Sequence, residues 1–262
     1  MFKIILFFFS INISLLAYID SDIDGVPDES DKCANTPLTE LVDLSGCTIK
    51  KLKSDYHFDI VLGQSYADDG DSTLYSSSLK VNYYYKKFSM QLASSYYNSS
   101  IASTNNRGQN DTYLNLYYLF NPVDDFYLTL GGGLIFPTYD NEDNKLDYTT
   151  SLYGRYKLDR WSFILGVAYN DIGDIDSTNS LDYENIFSYN TGLGYSWNST
   201  FYSSINYYRS ESIFTNVEDL ETLSVDTYYA IDEHWFSSLN YGYCFLETGK
   251  RESIGVNLGY YW

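Results

Sequence analysis

Past its first seventeen residues this chain has no apolar run long enough to cross a membrane as a helix. Positive charge is scarce, with 16 Lys and Arg against 35 Asp and Glu and a net charge of −19. Phosphate contacts need Lys and Arg, so nucleic acid is not expected as a partner. Histidine numbers two, His57 and His234, which leaves little material for a general base. Proline numbers four and cysteine three, with Cys33 and Cys47 close together and Cys244 alone near the end.

What is present begins with MFKIILFFFSINISLLA, residues 1–17: one lysine, an apolar centre and a small final residue. This reads as a secretory signal peptide cut after Ala17. The remainder is long enough for one large β domain and a small appendage. Exported thiols meet oxidising conditions, so a Cys33–Cys47 disulfide is expected. Closing so short a loop is worth about 3 kcal/mol in the chain-entropy model. Cys244 reads as a plain core or lumen residue.

Tyrosine (30), phenylalanine (15) and tryptophan (4) are abundant. From about residue 55 apolar and polar residues alternate strictly. In SIGVNLGYYW, Ile254, Val256, Leu258, Tyr260 and Trp262 share one face and small or polar residues the other. The pattern repeats over about twelve segments, the even number expected of a single-chain membrane barrel. They lie near 55–66, 73–85, 88–97, 111–120, 125–136, 146–158, 160–170, 186–197, 200–209, 220–231, 234–246 and 251–262. Short connections (86–87, 121–125, 158–160, 198–200, 232–234) alternate with long ones (98–110, 170–185, 209–221). That is the rhythm of periplasmic turns and extracellular loops. Trp161, Trp197, Trp235 and Trp262 all fall at short-turn ends and in phase with the apolar face, as half of an aromatic girdle. The expected fold is all-β: an antiparallel transmembrane β-barrel over 55–262. The close of the chain, Leu258, Tyr260 and Trp262, resembles the assembly signal of Gram-negative outer-membrane proteins, with Trp in place of the usual Phe.

Inward positions such as Asn82, Gln91, Asn115, Ser151, Asn190 and Asn240 give a polar lining, which Tyr117, Tyr127, Tyr153, Tyr202 and Tyr228 would narrow. Lys80, Asp147, Arg155, Lys157 and Asp226 are the clearest inward charges, expected to neutralise one another across the lumen. His57 and His234 map to the periplasmic rim with no serine motif beside either, which argues against a barrel lipase or protease.

The segment DSDIDGVPDESDKC, residues 20–33, is a different kind of sequence. Counted from Asp20, acids fall at positions 1, 3, 5, 9 and 12 as Asp20, Asp22, Asp24, Asp28 and Asp31, with Gly25 at 6 and Val26 at 7. Alternating side-chain ligands, a glycine turn, a main-chain carbonyl and a closing carboxylate are the pattern of a calcium loop. Oxygen donors without His or Cys favour Ca²⁺ over zinc. The segment resembles a thrombospondin type 3 repeat, D-x-D-x-D-G-x-x-D-x-x-D-x-C, at every fixed position. VDLSGC at 42–47 resembles the close of such repeats in relatives of the outer-membrane protein A family. The resemblance covers 20–47 and implies a structural Ca²⁺ site in an 18–47 segment, joined to the barrel by a linker at 48–54. In those relatives the repeat leads to a peptidoglycan-binding domain, which is not expected here.

The expectation is a non-enzymatic outer-membrane barrel with its N-terminal segment in the periplasm. Its expected partners are outer-membrane lipid and lipopolysaccharide, calcium, and small polar solutes or surface ligands. It would serve as a narrow passive pore or as an adhesive surface barrel. The alternatives are a barrel enzyme and a soluble calcium-binding adhesin.

Overall fold

The computed structural model describes residues 19–262 apart from 23–24, 37–39, 52–55, 102–103, 140–143, 175–181, 216 and 247–248. The expected signal segment and Asp24 lie outside the described residues. Two sheets form. A small hairpin pairs β1 (Glu40–Val42) with β2 (Thr48–Lys51). The large sheet holds β3 (Tyr56–Asp68), β4 (Ser72–Tyr85), β5 (Phe88–Ile101), β6 (Thr104–Gln109), β7 (Thr112–Val123), β8 (Phe126–Phe136) and β9 (Asp147–Leu158). It continues with β10 (Trp161–Asp171), β11 (Ile186–Ser196), β12 (Phe201–Ser210), β13 (Leu220–Ala230), β14 (Trp235–Leu246) and β15 (Gly249–Tyr261).

The sheet closes on itself. Each strand pairs antiparallel with its neighbour, and β15 returns to β3 in the register Leu258↔Leu62. β6 pairs only with the overhang of β5, so the ring is twelve strands, β3–β5 and β7–β15. These are the twelve expected segments, their ends moved by a few residues. Two stretches differ from expectation. Residues 104–109, expected inside a loop, extend the wall as β6, and residues 48–51, expected in a linker, form β2.

Alternation sorts the side chains as the sequence predicts. On β10 the outward row is Trp161, Phe163, Leu165, Val167 and Tyr169, ending at Asp171. On β15 it is Ile254, Val256, Leu258, Tyr260 and then Trp262, bounded above by the Lys250–Glu252 ion pair at 2.8 Å. All four tryptophans are exposed on the outer surface. Trp161, Tyr195 and Trp197 stack edge to face in sequence, as do Trp235, Tyr260 and Trp262, with centroids 4.8–5.0 Å apart. Lys86, Asp125 and Asp159 each place one left-handed residue in a short turn at this same end. Inside, a Cβ on Gly166 would collide with the Tyr153 ring of the adjoining strand, so the glycine makes room for that tyrosine to lie flat on the wall.

Candidate functional site

The lumen is where charge collects. Arg155 and Lys157, two residues apart on β9, both point inward, and Arg155 is fully buried. Its partners come from far away in the chain. Nη1 reaches Glu29 Oε1 at 3.1 Å, while Nη2 pairs with Asp28 and donates to the Ser21 hydroxyl oxygen at 3.3 Å. Asp28, Glu29, Ser21, Ser30 and Val26 are all buried. Leu44, in the turn between β1 and β2, packs on Val61, Tyr202, Tyr228, Phe236 and Tyr261 at the short-turn end. The N-terminal segment therefore sits inside the barrel as a plug. The neutralisation expected across the lumen takes another form. Arg155 is met by the plug, Lys80 lies beside Asp59, and Asp226 accepts from Asn206, Asn240 and Ser224.

The plug is built by its own short-range bonds. Cys33 and Cys47 are disulfide-bonded. Gly25 takes a φ of +91°, and its N–H donates to Asp20 Oδ2 at 2.7 Å. Thr36 N–H donates to Asp22 Oδ2, and the Thr36 hydroxyl donates to the Gly46 carbonyl at 2.7 Å. Carboxylate oxygens of Asp20, Asp22 and Asp28 lie within 4.8 Å of one another. Asp31 is close to Asp22, and burial together with the Asp22 charge pushes its carboxyl up to about 7. Burial also raises Asp22, against the Thr36 bond. Asp22 Oδ1 and Asp31 Oδ2 are buried without a hydrogen-bond partner. Orphaned acceptors among crowded carboxylates fit a hard cation held by oxygen. Of the expected ligands, Asp20, Asp22, Asp28, Asp31 and Val26 are gathered in the plug. Asp28 is shared with Arg155, a partner that local spacing gave no means of seeing.

At the opposite end the long loops fold inward. Glu184 N–H donates to the Ile213 carbonyl, Thr215 N–H to that of Asp182, and Tyr183 bridges Phe214. Ile213 and Phe214 join Ile186, Leu220 and Cys244 in a buried cluster. Below the loops lies a cavity of about 80 Å³ lined by Asp111, Asp147 and several tyrosines.

Among solved structures, an outer-membrane channel from Pseudomonas putida F1 is similar over 79% of this chain and 94% of its own, with TM-score 0.61 and 13% identity. The NanC porin matches 77% of this chain and 98% of its own at TM-score 0.55 and 12% identity. The KdgM porin in complex with disordered oligogalacturonate matches 76% and 97% at 0.54 and 14%. The fold is that of outer-membrane channels. At such identities the likeness is one of fold. No family model and no curated protein matches the chain. As in a channel barrel, polar side chains face the axis and apolar ones the outside. The two histidines stack on different tyrosines. His57 stacks on Tyr84 at 4.5 Å and His234 on Tyr260 at 5.4 Å, and neither ring meets a serine hydroxyl among the described residues.

Proposed function

We propose that this protein is a passive, non-catalytic outer-membrane channel for small polar solutes. Its own N-terminal segment shuts it, and Ca²⁺ would hold that segment folded. The observation that carries the reading is the buried Arg155 held by Asp28 and Glu29 inside a closed twelve-stranded ring. A surface barrel has no need to place a charged segment in its lumen.

Short turns and the tryptophan rows mark the periplasmic rim, and the long loops face outward among lipid and lipopolysaccharide. The plug then enters from the periplasm. Asp20, Asp22, Asp28 and Asp31, with the Val26 carbonyl, would hold the ion, which supplies the positive charge that lets the acids pack together. The oligogalacturonate of the KdgM complex is a polar solute, which supports the same broad class here.

Single-channel recording of the refolded protein tests this, first in millimolar Ca²⁺ and then with chelator. Current that is small with Ca²⁺ and grows on chelation is expected. Silence in both conditions, and in Arg155→Ala as well, would overturn it.

A further inference from the structure

The inward bases are not all neutralised in the same way. Lys80 lies beside Asp59, and Arg251 pairs with Asp69 at 3.5 Å, so each is met by an acid of the wall or its turns. Arg155 and Lys157 are met differently. Asp28 and Glu29 contact Arg155, while Asp31, Glu29 and Asp22 act on Lys157. Every one of these acids belongs to the plug. With the plug undocked, β9 presents two bases on one face, each in the field of the other.

Anchoring the plug needs Arg155 alone. Lys157 makes no ion pair among the described residues, yet it stands two places along the same face. Two like charges side by side are unfavourable unless an anion sits with them. The Tyr127 ring lies 5.5 Å from Arg155 Cζ and 5.6 Å from Lys157 Nζ, so one aromatic face serves both cations. A guanidinium is a flat fork of five donors that matches carboxylates. Arg155, 1% exposed, keeps its Nε buried and without a hydrogen-bond partner, so the fork still has a donor to give. What the other arms already hold is informative too. They hold two carboxylates from adjacent residues, Asp28 and Glu29.

We propose that Arg155 and Lys157 are the solute-selecting pair of this lumen, that Asp28 and Glu29 occupy it as the chain's own copy of a dicarboxylate, and that dicarboxylate solutes compete with the plug for it. A solute thereby helps to open its own path. Lys157, partly exposed beside the docked plug, offers the first contact, and the Arg155 fork the second. A lumen lined by one sign of charge also concentrates ions of the other. The inference narrows the solute class of the channel proposed above. Its transport half rests on that reading; its binding half does not.

The test titrates glutarate and its uncharged diamide, glutaramide, into the refolded full chain by calorimetry at one fixed free Ca²⁺ concentration. Glutarate is expected to bind and glutaramide not to. Glu29→Gln leaves every expected calcium ligand in place and weakens the internal competitor, so glutarate should bind it about tenfold more tightly. Lys157→Gln should bind about tenfold more weakly, because a charge partner of the solute is lost. Trypsin cleavage after Lys32 should quicken with glutarate and not with glutaramide. Unchanged heat-modifiable gel mobility certifies the fold of each variant. Absence of glutarate binding from both the unaltered chain and Glu29→Gln overturns the site, as does equal binding in Lys157→Gln. An affinity that Glu29→Gln leaves unchanged overturns the competition. Reversal potentials in a potassium glutarate gradient then separate the two readings. Anion selectivity that falls in Lys157→Gln supports the inference. Cation-selective current overturns its transport half while leaving a channel. A silent bilayer with Lys157-dependent binding removes the channel and keeps the site.

Discussion

Arg155 lies 126 residues from Glu29 in the chain and is enclosed together with it. Taking the guanidinium away removes the one base that contacts both buried carboxylates, a loss of about 3 kcal/mol or more. Arg155→Met is therefore expected to undock the plug while leaving the ring closed. Trypsin cleavage after Lys32, an exposed residue whose N–H is held by the Ser45 carbonyl, should accelerate accordingly. A cleavage rate equal to that of the unaltered protein would show that the pair does not hold the segment. At this scale the sequence revealed only what is local. The spacing of Asp20, Asp22, Asp28 and Asp31 around Gly25 was legible because carboxylates and turn belong to one short loop, and Gly25 does take the left-handed backbone it suggests. Arg155 was legible as an inward charge, since alternation fixes the face. Its partner was not, because contact across so long a separation leaves no periodic trace.

Among the elements, the ring strands could be read because each is long, alternates cleanly and ends at Gly, Asn, Asp or Lys turns. β6 was missed for a physical reason. TNNRGQ has the composition of a turn and becomes strand only because the overhang of β5 offers it a ladder, from Ile101↔Thr104 to Tyr96↔Gln109. β1 and β2 were missed because three or four residues carry too little pattern. Their hairpin is framed by the Cys33–Cys47 bond and by Asp43, whose Oδ1 accepts from Ser45 and Cys47. Cys33→Ser/Cys47→Ser is expected to weaken the docked segment by about 3 kcal/mol. Hydrogen exchange of residues 25–36 should then be faster in the variant while amides of β10 and β11 are unchanged. Equal protection of both regions would mean that the disulfide adds nothing to docking.

For the molecule as a whole, every ring strand is hydrogen-bonded on both sides, so the wall has no edge from which to unzip. Unheated samples in SDS are expected to run as a compact species that disappears on boiling, and a single mobility under both conditions would contradict a closed ring. Strand number, closure and the polar interior were all legible, because they follow from one repeated period. The blocked lumen was not, because it depends on how a segment outside that period docks. The outward rows described above carry a further consequence. Between Trp161 and Tyr169 on β10, and between Ile254 and Trp262 on β15, the apolar face is nine residues long before Asp171 or Glu252 ends it. At about 3.3 Å per residue and a tilt of about 40°, that is an apolar height of roughly 20 Å, below the band of about 25 Å usual for such barrels. Lipid in contact with these strands must shorten to match, so the protein will pinch the bilayer around its waist and favour neighbours that tolerate a thin membrane.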